Sequence, residues 1–285
     1  MSIENGLPLK YHWVSGNRTA FVHDLHKKYG PIVRVGPEEL SLVDIPAVKT
    51  VYSVKETFLK TKWYKRLAQN TDNMFNTADV TYHRKSRRML AASMADSAIL
   101  KLAPRVGGHV SRVMDKMKAE NLTRKTIDIY KWWLFMTTDI IVEFTYGESF
   151  HMVDKGVKDE YSFYLENAGM FGIYRSIAPL FVDAVSFLPL KLFRDMKASL
   201  TEMIKASAEG IVIHDKIVQE ARDSGDTDAD DVEQTFFTSL FKAQKDGNYT
   251  PRETLLSEGQ LYIVAGSDTT ANTLTYLVWA LGLHG

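Results

Sequence analysis

The fold of this chain is decided by the stretch Leu261-Tyr-Ile-Val-Ala-Gly-Ser-Asp-Thr-Thr-Ala-Asn-Thr-Leu-Thr-Tyr-Leu-Val-Trp-Ala-Leu281. Apolar residues lie on both sides of residues 265–270, which we call the polar knot. Gly266 inside a helix costs about 1 kcal/mol relative to Ala. The neighbouring acid and threonines compete for backbone hydrogen bonds. One interpretation is therefore a break at Gly266, after which Ser267 or Asp268 caps a second helix.

The other interpretation keeps one helix through the polar knot and widens it locally against a cofactor. Asp268 and Thr269 would then deliver protons. Gly266 would let a flat ligand approach the backbone closely. The residues of the knot alone leave both interpretations open.

The helix that carries the knot has a clear start. Thr250 is a good N-cap, Pro251 suits the first helical position, and Glu253 completes a capping box. We expect this helix to run to about Leu283. At 1.5 Å per residue it is roughly 45–50 Å long, enough to cross a whole domain.

Upstream, the sequence predicts a mainly α fold with one small β hairpin, in a single domain covering residues 1–285. Strands at 32–35 and 40–43 flank a Gly-Pro turn, and Asp44 is positioned to cap a short helix after the hairpin. Hydrophobic periodicity predicts further helices at 81–94, 98–119, 127–144, 158–170, 190–223 and 232–243. We expect the Trp132-Trp133 pair to lie in the core.

Composition narrows the function classes. The chain has 285 residues, 45% of them hydrophobic, with 35 basic and 35 acidic side chains and no cysteine. The balanced charge removes the usual electrostatic reason to expect nucleic-acid binding. The absence of cysteine excludes disulfides, thiolate metal ligands and cysteine nucleophiles. The N-terminus lacks the features of a signal peptide or membrane anchor, and nucleotide-binding, hydrolase and zinc-protease motifs do not occur.

The segment Tyr82-His83-Arg84-Lys85-Ser86-Arg87-Arg88 holds two pairs of residues spaced by four, which places each pair on one helical face. His83 and Arg87 form one pair, and Arg can bind a carboxylate through two parallel hydrogen bonds. Arg84 and Arg88 form the other pair, turned by about 100° toward solvent. An ordinary solvated basic helix face is the alternative.

Together these residues resemble the cytochrome P450 family. Ala265-Gly266-Ser267-Asp268-Thr269-Thr270 is similar to the (A/G)-G-x-(D/E)-T-(T/S) motif of the family's long distal helix. His83 and Arg87 fit the pair that donates hydrogen bonds to the haem (heme) propionates. Lys27-Lys-Tyr-Gly-Pro-Ile-Val-Arg-Val-Gly36 and Thr138-Asp-Ile-Ile-Val-Glu-Phe-Thr-Tyr-Gly-Glu-Ser-Phe150 resemble segments of fungal-type microsomal members.

The resemblance implies a haem monooxygenase that oxidises a lipophilic small molecule in fungal secondary metabolism. Thr269 would stabilise the bound dioxygen and its protonated forms, and Asp268 would relay protons. Ala265 and Gly266 would face the cofactor, and residues 177–193 would roof the substrate pocket. An NADPH–cytochrome P450 reductase would dock on the basic face of Arg84 and Arg88. The family location is the endoplasmic reticulum membrane surface, although without an anchor a cytoplasmic location is the alternative.

The family's later motifs are missing from the chain: E-x-x-R, the P-E-R-F-like segment and F-x-x-G-x-x-x-C-x-G with its haem-ligating cysteine. Thiolate donation is how these enzymes favour O–O cleavage. We therefore expect a truncated, P450-like chain that is inactive alone. The alternative is a non-enzymatic helical remnant retained as an interaction or structural protein.

Overall fold

The computed structural model describes residues 6–53, 58–67, 72–91, 93–158, 160–177, 182, 191–223, 235–237 and 251–284. Within these ranges the chain is mainly helical with one β hairpin, as predicted. The helices are α1 Leu7–Val14, α2 Arg18–Tyr29, α3 Ile45–Val51, α4 Lys62–Leu67, α5 Val80–Leu90, α6 Asp96–Arg124, α7 Ile129–Tyr146, α8 Met152–Lys155, α9 Glu160–Ile177, α10 Lys191–Asp223 and α11 Arg252–His284.

The predicted hairpin is present. Strand β1 covers Ile32–Gly36 and pairs antiparallel with β2, Glu39–Leu42. Asp44 caps α3 as expected, because its carboxylate accepts a hydrogen bond from the Ala47 amide at 3.0 Å. These elements confirm the reading of the N-terminal region.

Helix boundaries depart from the predictions by a few residues. The helix predicted at 81–94 ends at Leu90, and the one predicted at 98–119 continues to Arg124. Pro251 precedes α11 instead of occupying its first position, and its carbonyl accepts the amide of Leu255 at 3.1 Å. Thr250, most of the helix predicted at 232–243 and most of the segment 177–193 lie outside the described residues.

Helix α11 is continuous through the polar knot, so the interpretation with a break at Gly266 is wrong. The locally widened turn is also absent, because the helix is α-helical over its whole described length. Threonine hydroxyls bond backward to helix carbonyls, as Thr269 does to Ala265 at 2.7 Å and Thr273 does to Thr269 at 2.8 Å. These bonds satisfy the polar side chains without taking the backbone out of the helix.

The centre of the fold is the antiparallel packing of α7 against α11. Tyr130 near the start of α7 contacts Asp268, whereas Ile141 near its end contacts Gly266. Between them, the Thr137 hydroxyl donates to the Ser267 carbonyl at 2.9 Å. A Cβ at position 266 would lie 2.6 Å from Cγ1 of Ile141, so glycine is required for this approach.

Tyr146 joins three helices at the end of α7. It is fully buried, and a Cβ at Gly210 of α10 would lie 2.4 Å from its ring. A Cβ at Gly259 of α11 would lie 2.1 Å from its hydroxyl oxygen. That hydroxyl also pairs with Ser207 Oγ at 3.0 Å. Two glycines therefore provide the space into which one tyrosine locks α7, α10 and α11 together.

The buried apolar residues form two main clusters along α7. The first lies between α5, α7, α9, α10 and α11, and its members are Leu90, Val142, Tyr146, Leu165, Ile211, Phe236, Phe237, Leu255, Tyr262 and Ile263. The second lies between α6, α7 and α8 and includes Trp132, which confirms its expected core position. Across the described ranges, no helix combines the length and apolar character needed to cross a bilayer.

We predict that Gly266→Ala lowers the free energy of unfolding by roughly 1–3 kcal/mol. The added methyl group meets the branched end of Ile141, which cannot move away without disturbing the α7–α11 interface. The gain in helix propensity of about 1 kcal/mol is smaller than this cost. Urea unfolding followed by circular dichroism measures the change.

Gly282→Ala in the same helix is the matched control, because a Cβ there has no neighbour within 4 Å. It is expected to keep or slightly raise stability. A Gly266→Ala variant as stable as the wild type would contradict the close α7–α11 contact.

Candidate functional site

One face of α11 carries a stripe of residues spaced by four, three and four: Glu258, Tyr262, Ala265 and Thr269. Glu258 and Tyr262 are buried, whereas Ala265 and Thr269 are exposed. The stripe therefore runs from the core out to an open surface at the polar knot. Thr269 holds its hydroxyl proton on the Ala265 carbonyl at 2.7 Å, and its oxygen lone pairs remain free to accept.

Asp268 points away from Thr269, toward the first turn of α7. Its Oδ1 accepts a hydrogen bond from the Tyr130 hydroxyl at 2.7 Å and one from Asn272 Nδ2 at 2.9 Å. An open groove lined by Tyr130, Asn272, Thr275, Tyr276 and Trp279 adjoins this carboxylate. Asp268 thus links the polar knot to a solvent-accessible groove, and the structure shows no direct hydrogen bond between Asp268 and Thr269.

Gly266 and Ser267 are directed at α7. The space left by the missing side chain of Gly266 is taken by Ile141, not by an open ligand surface. The Ser267 hydroxyl is buried and has no hydrogen-bond partner among the described residues. Ala265 is exposed and Gly266 is half-buried, so Ala265 is the more accessible of the two to a ligand on α11.

We call the stripe on α11 the first wall of the candidate site and helix α5 its second wall. Asp79 caps this helix by accepting the amides of Thr81 at 2.8 Å and Tyr82 at 3.1 Å. Its inward face is formed by Tyr82, Ser86 and Leu90, the last two of which are buried. The start of α5 and its N-terminal cap therefore follow from the local sequence.

His83 and Arg87 each come one position after a residue of the inward face, Tyr82 and Ser86. His83 is half-buried and Arg87 is exposed. Neither side chain makes a hydrogen bond or ion pair with another described residue. Arg84 and Arg88 are both exposed, as predicted for the solvent side. Helix α5 therefore presents several cationic or donor groups that the described protein does not neutralise.

Glu258 connects the two walls, and sequence reasoning missed it. Its Oε1 accepts hydrogen bonds from the Met74 amide at 2.8 Å and from the Tyr82 hydroxyl at 3.1 Å. Next to it, Asn73 Nδ2 donates to Ser257 Oγ at 3.0 Å. The signal that was present in the sequence is an acid in an apolar helix, in register with Thr269.

Burial raises the pKa of Glu258 to about 7, although the Met74 amide and the Tyr82 and Tyr262 hydroxyls oppose the shift. No cation contributes to that shift. Burial and the Glu258 carboxylate together raise the pKa of Tyr82 well above its usual range. The site therefore contains an acid that is close to half-protonated at neutral pH.

The family model described as Cytochrome P450 matches residues 4–284 of the chain. The cytochrome P450 monooxygenase tazI of Aspergillus terreus is 35% identical over 277 residues, covering 97% of this chain and 55% of that protein. The corresponding values are 31%, 95% and 54% for orf2 of Aspergillus niger, and 29%, 97% and 52% for stcB of Emericella nidulans. The chain spans about half the length of these curated relatives.

We predict that Glu258→Gln removes a pH-dependent loss of stability. A Glu whose folded pKa is about 7 instead of 4.5 holds its proton in the folded state while the unfolded chain releases it. Stability is therefore highest below about pH 4.5 and falls as the pH rises toward 7, by about 3 kcal/mol in all. Gln keeps the acceptor oxygen and carries no charge.

Urea unfolding from pH 4.5 to pH 8 measures this difference. The variant is expected to gain on the wild type as the pH rises. Glu253→Gln, an exposed position of the same helix, is the control and is expected to follow the wild type. Parallel pH profiles for wild type and Glu258→Gln would contradict the buried acid.

Proposed function

This chain belongs to the cytochrome P450 family, and we propose that it carries the oxygen-side wall of a haem monooxygenase acting on a lipophilic small molecule. The observation that carries the proposal is the arrangement of two walls. The stripe on α11 ends in the exposed Ala265 and Thr269 and begins at Glu258, which bonds to Tyr82 of α5, the helix that carries the unneutralised His83 and Arg87.

The donor set on α5 fits the carboxylates of a haem. His83 and Arg87 lie one helical turn apart, and an imidazole N–H and a guanidinium are both hydrogen-bond donors. The planar guanidinium binds a carboxylate through two parallel hydrogen bonds. Neither group is engaged by another described residue. We propose that these two side chains hold the propionates, while Ala265 and the adjoining backbone of Gly266 face the ring.

A bound haem would supply the activation of dioxygen. The chain's own contribution lies at the polar knot, where we propose that Thr269 presents its hydroxyl oxygen and holds its proton on the Ala265 carbonyl. Asp268 would take up protons from the groove beside Tyr130 and Asn272, with which it already shares hydrogen bonds. Because Asp268 and Thr269 point in different directions, the residue that takes up protons would be separate from the residue that presents its hydroxyl.

The chain contains no cysteine, so it offers no thiolate to bind the iron. Thiolate donation is the property by which cytochromes P450 favour O–O cleavage. We propose that the chain, as one incomplete domain, does not catalyse oxidation by itself. The activity of the family would require a thiolate ligand from outside these 285 residues.

Partners and location are proposed from family membership. An NADPH–cytochrome P450 reductase would approach the exposed Arg84 and Arg88, because such basic side chains attract an acidic surface. Because the similar proteins are fungal cytochrome P450 monooxygenases, we propose a lipophilic secondary metabolite as the substrate. The endoplasmic reticulum membrane surface is the proposed location.

We predict that Arg87→Ala weakens haem binding to the purified chain about tenfold or more, because it removes a charge-assisted hydrogen bond to a propionate. Haem titration followed by absorbance gives the Kd. Arg84→Ala, also exposed on α5, is the matched control and is expected to bind haem like the wild type.

Equal losses in both variants would mean nonspecific attraction to a basic helix and would contradict the proposal. A folded chain that binds no haem would favour the alternative, a non-enzymatic helical remnant. In the same samples, the reduced carbon monoxide complex is expected to lack the absorbance band of thiolate-ligated haem. The appearance of that band would contradict the proposed inactivity.

A further inference from the structure

Two neighbouring side chains of α11 hold the segment leading into α5: Ser257, which accepts from Asn73, and Glu258, which also reaches α5 itself. Glu258 Oε1 accepts from the Met74 amide at 2.8 Å and from the Tyr82 hydroxyl at 3.1 Å. The donors lie 184 and 176 residues away in the sequence. One oxygen atom therefore fixes both the approach to α5 and its first turn.

Residues 73–77, which lead into α5, are held in place by their own hydrogen bonds. Fixing Met74 therefore fixes the whole segment. Asn73 Oδ1 accepts the amides of Phe75 and Asn76, both at 3.0 Å, and Asn76 Oδ1 accepts the Asn73 amide at 2.9 Å. The Asn73 carbonyl accepts the Thr77 amide at 3.1 Å. Both asparagines are buried. The position of this turn therefore sets where α5 begins.

Two buried atoms beside this contact have no partner among the described residues: Glu258 Oε2 and the Tyr262 hydroxyl. Glu258 is 2% exposed and Tyr262 6%. The two side chains influence each other's pKa, so they are close. A proton on Oε2 would give the carboxyl a donor and the Tyr262 oxygen is an available acceptor, which would satisfy both atoms.

The charges around Glu258 favour its neutral form. Tyr82 faces it from α5 and Tyr262 from its own helix, and Tyr146 of α7 lies near Tyr262. Asp72 also acts on Tyr82. No cation is among the groups that act on Glu258. An ionised carboxylate here would be a buried charge without a counterion, which is costly.

We propose that Glu258, as a neutral acid, is a positioning residue that holds α5, and with it His83 and Arg87, against the oxygen-side helix. The role in haem binding rests on the proposed function, whereas the hold on α5 stands on the contacts alone. Loss of the proton weakens the hold, since the ionised carboxyl gains by reaching water. The pair of helices is therefore tightest below neutral pH.

Hydrogen exchange of the whole chain tests the hold without haem. The amides of residues 73–77 are protected by the contacts above, and opening exposes Glu258 to water, where its ordinary pKa applies. In the wild type, protection relative to intrinsic exchange is expected to fall about 30-fold between pH 5.5 and pH 8.5. Amides in the middle of α6 serve as an internal reference for the folded chain.

Two variants separate positioning from mere packing. Glu258→Gln keeps the acceptor and stays neutral, so the amides of 73–77 are expected to remain protected at both pH values. Glu258→Ala removes the acceptor, so they are expected to exchange rapidly at both. If Gln behaves like Ala, or if the wild-type protection is as flat with pH as that of Gln, the proposal is overturned.

Haem titration of the same three proteins connects the hold to the site. The expected result is that wild-type haem affinity weakens above pH 7 more than that of Glu258→Gln, with Glu258→Ala weakest throughout. Exchange as expected with no haem binding in any protein would refute the proposed function and leave the hold on α5 intact. Haem binding without pH-dependent exchange of residues 73–77 would support the proposed function and refute the pH-dependent hold on α5.

Discussion

The close approach of α11 to α7 is the constraint on which the rest of this structure depends. Gly266 lets α11 lie against Ile141, and Gly259, two helical turns earlier, admits the Tyr146 hydroxyl. Larger residues at either position would push the helices apart. Because this contact sets the rotation of α11, it also decides which residues of the polar knot face outward.

That rotation divides the knot between two tasks. Ser267 and Gly266 serve the interface with α7, whereas Ala265 and Thr269 remain exposed. Asp268 is held between them by Tyr130. The residues proposed to face a haem thus share one helical turn with residues that pack against the core. Glu258, two turns before Ala265 at the buried end of the same stripe, extends this arrangement by tying α5 to the same helix.

The sequence predicted the elements that depend on local signals. The hairpin, the Asp44 cap and the helical course of residues 252–283 follow from turn residues, capping and periodicity, and the structure confirms them. The path through the polar knot was left open, because tertiary contacts decide it: Tyr130 occupies Asp268, and α7 covers Ser267. Glu258 could not be predicted, since its donors lie more than 170 residues away.

Gly266 is a second feature that the sequence could not decide, because tertiary contacts determine what fills the space beside it. A glycine beside a polar motif suggests room for a ligand, but the same residue also allows two helices to touch. Only the position of Ile141 decides between them. Conversely, the spacing of His83 and Arg87 by four residues predicts from the sequence that they share a face of α5, whereas their role toward a propionate comes from the family resemblance and stays a prediction.

The central claim, that Thr269 lines the oxygen side of a haem bound to this chain, is tested most directly by vibrational spectroscopy. Carbon monoxide bound to the reduced haem reports nearby hydroxyls through its C–O stretching frequency. Thr269→Val is predicted to shift that frequency. Thr275→Val is predicted to leave it unchanged, because Thr275 makes the same backward hydrogen bond on the groove side of α11. An unchanged frequency in Thr269→Val, with haem still bound, would contradict the claim.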